Sequence, residues 1–335
     1  MSDQELSPDP LGVLTTTLPV VAEARHVRID EARLEEVADA VVGSEEAPTG
    51  WADDLHFRDG TWHTAGWVLA LDALNFCFWS EDPARRWRVE YRGEIFDGYW
   101  ALVAALRRAV DEGRPIWDPT YLIGLSPRDV AHILRPPDEA TPEIPLFPLR
   151  VQNLHELGQG LIAAYPDANP VIALIEEAER SAARLVQRVV SLFPSFNDVA
   201  IYEGAEVRFY KRAQILVADL HGAFGGQGLG AFDDLEILTA FADYKVPQVL
   251  RRLGILVYDD ELAEAVDNRR LIPMGSPKEI EIRAATVWAC ELLRRALARR
   301  SRNVRAFEVD WMLWLLGQSL PADTQPYHRT YTVFY

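Results

Sequence analysis

Cysteine is scarce in this chain: Cys77 and Cys290 are the only two among 335 residues. Two thiols build neither a disulfide framework nor a thiolate metal site, so a reducing cytoplasm is the expected setting. Basic residues are also short, with 34 Lys and Arg against 51 Asp and Glu and a formal charge of −17. A protein that grips a polyanion carries a basic footprint, so this balance argues against a nucleic-acid partner and suits a small, cationic ligand better. No run of about 18 apolar residues is present, which excludes a helical membrane span. The opening MSDQELSPDPLG lacks the basic and apolar regions of a signal peptide. No His/Cys/Glu spacing suggests zinc and no G-x-S-x-G elbow suggests a serine hydrolase, so neither metal nor cofactor is expected. The pattern leaves the oligomeric state open.

What is abundant is helical periodicity. Ser181–Leu192 places Leu185, Val189 and Leu192 on one face, and Glu279–Leu297 repeats the pattern with Ile282, Val287, Leu292 and Leu293. Arg305–Leu316 is almost wholly apolar and predicts a buried helix. Strand signals are few: Val207–Tyr210 after the Glu203-Gly204 turn, and Tyr331–Tyr335. The expectation is a mainly α fold, a single α-rich globular domain over residues 23–335 with a few short strands. Residues 1–22 read as a loosely held arm. The segment 135–148 carries five prolines and marks a candidate subdomain break. The glycine-rich Gly222–Gly230 follows a helical pattern with no βαβ context, so it predicts a mobile loop and not a dinucleotide site.

Three carboxylates interrupt apolar stretches. In WVLALDALNFCFW, Asp72, Asn75, Phe76 and Trp79 stand at i, i+3, i+4 and i+7 and would share a helical face. An acid, an amide and two aromatics suit a flat base, the carboxylate accepting parallel N–H donors and the rings stacking. A buried acid that only holds a neighbouring helix is the commoner outcome for such a residue. In LTAFADYKVPQVLRRLG, Asp243 falls in the bend between two helices, beside Phe241 and Tyr244 and against the C-terminal end of the first. That placement opposes the helix dipole and costs stability, which is where functional acids are often found. Pairing with Arg251, or capping the second helix, is the structural alternative. Asp310 in VDWMLW is the third such acid, a structural hydrogen bond its simpler reading.

Cations are fewer. In YKRAQILVADLH, Lys211 sits at a helix start where a phosphate could meet its ammonium and free N–H groups, and Arg212 and Asp219 fall on nearly one face. A solvated start followed by an ordinary ion pair is the more common result. His328 and Arg329 in PYHRTY form a candidate anion site or a surface turn.

WVLALDALNFCFW, YKRAQILVADL, FADYKVPQVLRRLG, the Glu279–Leu297 helix and PYHRTY together resemble the queuosine salvage family of queuosine 5′-phosphate N-glycosylases, from roughly Arg25 to the C-terminus. The resemblance implies metal-independent hydrolysis of queuosine 5′-monophosphate to queuine and ribose 5-phosphate, and a fold related to the helix-hairpin-helix DNA glycosylases. It implies that Asp243 is the catalytic acid residue, that Lys211 lies in the active site, that Asp310 matches the family's C-terminal Asp, and that Asn75 and Phe76 hold the base. Asp72, Trp79, Tyr244, Arg212, His328 and Arg329 complete the expected substrate contacts. A carrier that binds queuine without turnover and a DNA-lesion glycosylase are the alternatives, the latter opposed by the charge of −17.

Overall fold

Helical periodicity becomes helix along most of the chain in a computed structural model that describes residues 9–42, 55–82, 85–321 and 323–335. The first helices are α1 (Val13–Glu23), α2 (Glu31–Val42), α3 (Trp62–Ala73), α4 (Gly98–Asp111), α5 (Pro119–Gly124) and α6 (Pro127–Ile133). The middle of the chain forms α7 (Phe147–Ala164), α8 (Pro170–Glu177), α9 (Ala182–Leu192) and α10 (Lys211–Ala223). The last four are α11 (Lys245–Arg252), α12 (Asp260–Asp267), α13 (Pro277–Arg299) and α14 (Ala306–Gln318). Strands β1 (Val27–Ile29) and β6 (Leu256–Tyr258), β2 (Arg88–Tyr91) and β3 (Glu94–Asp97), and β4 (Val199–Tyr202) and β5 (Ala205–Arg208) pair antiparallel as three separate ribbons. Among the described residues no helix is long and apolar enough to cross a membrane.

Local chemistry sets the helix starts. Ser181 accepts the Arg184 N–H ahead of α9, and Ser276 accepts that of Glu279 ahead of α13, where Pro277 takes the first turn at no hydrogen-bond cost. Two apolar clusters share α13. Ile280, Ala284, Val287 and Trp288 join the larger one, built on α1, α3, α4 and α7–α10. Ile282, Ala285, Ala289 and Leu293 join the other, built on α2, α11, α12 and α14. Apolar residues on both sides of the proline-rich segment, Ile133 and Val151 among them, belong to the same larger cluster.

Several expectations are corrected. Residues 1–8 lie outside the described residues, but 13–23 are the helix α1, whose Val13, Leu14 and Val20 are buried in the larger cluster. Burial of that apolar face outweighs the disorder common near chain ends. Tyr331–Tyr335 is not a strand; an isolated bridge, Leu271 with Arg329, forms just before it. Gly222–Gly230 closes α10 and then turns through a short 3-10 segment at Gly228–Gly230. There a Cβ on Gly230 would stand 2.4 Å from the Leu220 carbonyl oxygen, so only glycine allows the approach.

The end of α3 shapes a deep cavity. Its Thr64–Ala73 are all buried, and it stops at Ala73, not at Trp79. Three side chains from distant elements take up the carbonyls released there. Arg212 donates to Asp72 O (2.9 Å) and Ala73 O (2.8 Å), and Asn153 donates to Ala73 O (3.0 Å). Arg150 donates to the carbonyls of Leu74 (2.5 Å), Phe76 (2.6 Å) and Cys77 (3.0 Å). Positive charge at a helix C-terminus is favourable, and this satisfaction of carbonyls ends the helix where period alone would continue it. Cys77 then turns the chain with a positive φ of 45°.

Candidate active site

A cavity of about 560 Å³ opens where α4, α10, α11 and α14 meet the 75–79 turn and the C-terminal tract. One wall comes from α10, which presents Lys211, Ile215 and Asp219 at i, i+4 and i+8. Opposite, α14 presents Asp310, Trp311, Trp314 and Leu315. Phe241, Asp243, Tyr244 and Lys245 come from the segment before and into α11, while Tyr99 and Trp100 come from the start of α4. Buried residues (Phe76, Lys211, Asp219, Asp243, Asp310) form the floor, and the exposed Leu315, Gln318 and Asp97 mark the mouth. The site therefore lies on the seam between the two apolar clusters.

Asp243 stands at the opposite helix end from the one expected. Leu235–Ile237 make only a short 3-10 turn and residues 238–243 are extended or irregular, so no helix precedes it. Its Oδ1 accepts the N–H groups of Lys245 and Val246, both at 2.8 Å, at the start of α11. It meets the positive end of a dipole, not the negative end, which favours its ionised form. Arg251 is not its partner but pairs with Asp267 at 2.7 Å. Burial still raises its pKa, opposed first by Lys211 and then by the two N–H groups and Lys245.

Lys211 opens α10 after Tyr210, which holds a φ of 49°. Its backbone N–H donates to Asp198 Oδ2 (3.2 Å) and its ammonium points at Asn75 O (3.4 Å). Burial lowers its pKa, while Asp243, then Asp72 and Asp310, pull it back. Asp310 accepts the Phe241 N–H through Oδ1 (2.9 Å). Burial and the nearby charge of Asp243 hold its pKa well above the carboxylate range. Behind the floor, Asp72 is wholly buried and pushed up to about 7 by desolvation, against the pull of Lys211 and Asn75.

The remaining expected residues divide. Asn75, Phe76, Trp79 and Tyr244 line the cavity, though Asn75, Phe76 and Trp79 do so from a turn and not from one face of a helix. Asp72 and Arg212 do not reach it. Arg212 turns to carbonyls of α3 and Ser195, since helix side chains lean toward the N-terminus and Asp219 lies about 10 Å along the axis the other way. Arg212 and Arg150 instead flank the Phe76 ring, at 5.2 and 4.3 Å. His328 and Arg329 are also outside the cavity. Arg329 donates to Glu81 O and lies over Trp79, near an outer surface depression.

His328 is buried at 1% exposure against Tyr335, and burial, then Arg283, lowers its pKa to about 3. The unfolded chain protonates it below 6.5 but the folded one does not until far lower. It therefore costs stability as pH falls below 6.5, by up to ~1.4 kcal/mol per pH unit. His328→Gln is expected to flatten the acid side of a urea-midpoint-against-pH curve; a curve that keeps the wild-type slope contradicts this.

Sequence reasoning missed Lys245 and the Tyr99, Trp100, Trp311 and Trp314 walls, and it set Asp219 beside Arg212 and not in the cavity. The i, i+4, i+8 spacing of Lys211, Ile215 and Asp219, and the i, i+4 spacing of Asp310 and Trp314, are the signals that place Asp219 and Trp314 in the cavity; neither points to Lys245, Tyr99 or Trp100. Residues 55–335 match the family described as queuosine salvage protein. The chain belongs to that family. A relative in Sphaerobacter thermophilus, named queuosine 5′-phosphate N-glycosylase/hydrolase, is 52% identical and the match covers 98% of each chain. Relatives of the same name from Bos taurus and Mus musculus are each 34% identical, with 94% and 97% of this chain matched and 96% and 99% of theirs. In this queuosine salvage chain the acid-and-lysine centre thus sits at the floor of an aromatic-walled cavity.

Proposed function

We propose that this chain hydrolyses the N-glycosyl bond of queuosine 5′-phosphate, giving queuine and ribose 5-phosphate. The observation that carries the reading is the pair Asp243 and Asp310, two buried carboxyls in one cavity whose surroundings push them apart. Asp243 has two backbone N–H groups and two lysines to favour its charge, whereas Asp310 has one N–H group and a weaker pull from Lys211, outweighed by burial and the neighbouring charge of Asp243. Pairs of acids set apart in this way divide into base and acid.

Queuine is a 7-deazaguanine and lacks N7, the atom purine glycosidases commonly protonate. The C1′–N9 bond must therefore break with cationic character on the ribose, its electron pair leaving with the base. Asp243, ionised beneath C1′, stabilises that cation in a site where aromatic rings exclude water. Oδ1 is already held by two N–H donors, which favours electrostatic support and proton acceptance over covalent attack. Asp310 gives its proton to the departing base, water adds to C1′, and Asp243 takes the proton that water loses. Return of that proton to Asp310 restores the starting state.

Lys211 supports the ionised Asp243. Lys245 and Arg86, the latter paired with Asp97 at the mouth (3.4 Å), are the cations placed for the 5′-phosphate. The Asn75–Trp79 turn and Tyr244 line the space for the base. The mainly helical architecture, with a cavity acid at the start of a helix, is consistent with kinship to the helix-hairpin-helix DNA glycosylases, and the charge of −17 opposes DNA as substrate. Two free, buried cysteines support a reducing, cytoplasmic setting. Purified protein incubated with queuosine 5′-phosphate should release free queuine, read by mass spectrometry. Binding without release at micromolar enzyme would leave the carrier reading instead.

A further inference from the structure

Asp219 has no part in the proposed hydrolysis, yet it lies on the cavity floor. Its side chain is 5% exposed, and it lines the cavity two turns along α10 from Lys211, about 12 Å by helix rise. Among the described residues no donor hydrogen-bonds to its carboxyl group and no cation forms a salt bridge with it. The other acids of the cavity are supplied: Asp243 by two N–H groups, Asp310 by the Phe241 N–H, and Asp97 by Arg86. The ammonium of Lys211 points at Asn75 O, and that of Lys245 at Gly317 O over the Tyr327 ring. A buried carboxyl with no protein donor is costly, and such groups are normally satisfied.

Its surroundings suit a cation. Tyr99 lies close enough for the charge of Asp219 to raise its phenol pKa. Tyr99 packs on Trp100 and Trp314, with ring centroids at 5.3 and 5.7 Å, and all three line the cavity. The Tyr99 hydroxyl is taken by His56 Nε2 at 2.8 Å and does not serve Asp219. An acid beside aromatic faces is the arrangement that holds an amine cation, through charge-assisted hydrogen bonds and the ring quadrupoles. The pKa of Asp219 is well above the carboxylate range, through burial and the charge of Asp72, opposed by Lys211, so an arriving cation would also restore its ionised form.

We propose that Asp219 is a specificity-determining residue that holds the secondary ammonium on the 7-substituent of the base, with Tyr99, Trp100 and Trp314 walling that arm. The proposal rests on the reading of the cavity as a deazaguanine site. It would explain how the site separates this base from guanine itself: only the former brings a cation to an acid the protein leaves unserved.

The test is equilibrium binding of two free bases of similar size. One is 7-aminomethyl-7-deazaguanine, whose arm is cationic, and the other is 7-cyano-7-deazaguanine, whose arm is neutral. The wild-type protein should bind the cationic base about 10- to 100-fold more tightly, and Asp219→Asn should lose that preference while its affinity for the neutral base stays within a few-fold. Equal wild-type affinities overturn the proposal, as does a preference that survives in Asp219→Asn. An equal loss for both bases also overturns it, because Asp219 would then hold the ring or the fold. Thermal unfolding of each variant identifies a folding defect, and Asp219→Ser replaces Asn if the latter does not fold. A wild-type protein that discriminates between the bases but releases no queuine from queuosine 5′-phosphate would sink the proposed hydrolysis and leave this assignment standing.

Discussion

Asp243→Asn is expected to lower kcat for queuine release by about 10³-fold or more, on the order of 4 kcal/mol of transition-state stabilisation, while affinity for queuine changes by only a few-fold. The asparagine oxygen can still accept the Lys245 and Val246 N–H groups, so α11 keeps its cap and the protein its fold. What is lost is the charge opposite C1′. Single-turnover release by mass spectrometry, with queuine affinity measured alongside, separates the two effects. A parallel fall in affinity and rate would show that Asp243 mainly builds the pocket. The pH profile gives a second check. Asp243 must be ionised to act and burial raises its pKa, so the acid limb of kcat/KM should lie above the ordinary carboxylate value of 3.8. Loss of Lys211 should move that limb higher still, because the lysine is the main influence lowering the pKa.

Arg283→Met carries the largest expected cost in stability. The guanidinium is buried and donates to both Asp198 oxygens, at 2.9 and 2.5 Å, with Glu279 at 3.6 Å. Burial pulls its pKa down, but Asp198 and Glu279 outweigh burial and hold it above its usual value. Removing one partner of a buried ion pair strands the other, at about 3–5 kcal/mol, and urea unfolding should show a loss of that size. The effect should reach catalysis. Arg283 Nε donates to the carbonyl of Ala242, the neighbour of Asp243, at 3.1 Å. Asp198 accepts the N–H of Lys211. One ion pair therefore fixes the backbone on both sides of the proposed catalytic centre, and a folded variant should lose kcat more than affinity. An unfolding midpoint unchanged from wild type would show that the pair is replaceable.

How far the sequence anticipates this arrangement depends on whether a feature is local. The helices α9 and α13 are legible from spacing, with caps at Ser181 and Ser276, and α14 is legible from its almost unbroken apolar run. Asp243 stands out as an acid in an apolar stretch, and it does line the cavity. The sign of the helix dipole it meets is not legible, because periodicity over 235–242 suggests a helix that the chain does not form. The end of α3 is hidden for a different reason. It is fixed by Arg150, Asn153 and Arg212, residues 73 to 140 positions away from the carbonyls they bind. His328 and Arg329 have the right chemistry for an anion and the wrong location, since Tyr335 and Glu81 engage them elsewhere. Burial of an arginine against carbonyls alone leaves no mark in a local pattern.

That collar of arginines has an entropic side. The turn from Leu74 to Cys77 presents Asn75 and Phe76 to the cavity. Arg150 and Asn153 of α7 and Arg212 of α10 tie down its carbonyls, and those of Asp72 and Ala73 before it, whether or not a ligand is bound. Fixing a backbone residue costs roughly 1–2 kcal/mol of conformational entropy, and in this turn folding has already met that cost. A base that docks there need not order the loop that receives it. On the proposed reading of the cavity, side chains outside it would thus set part of the substrate's affinity.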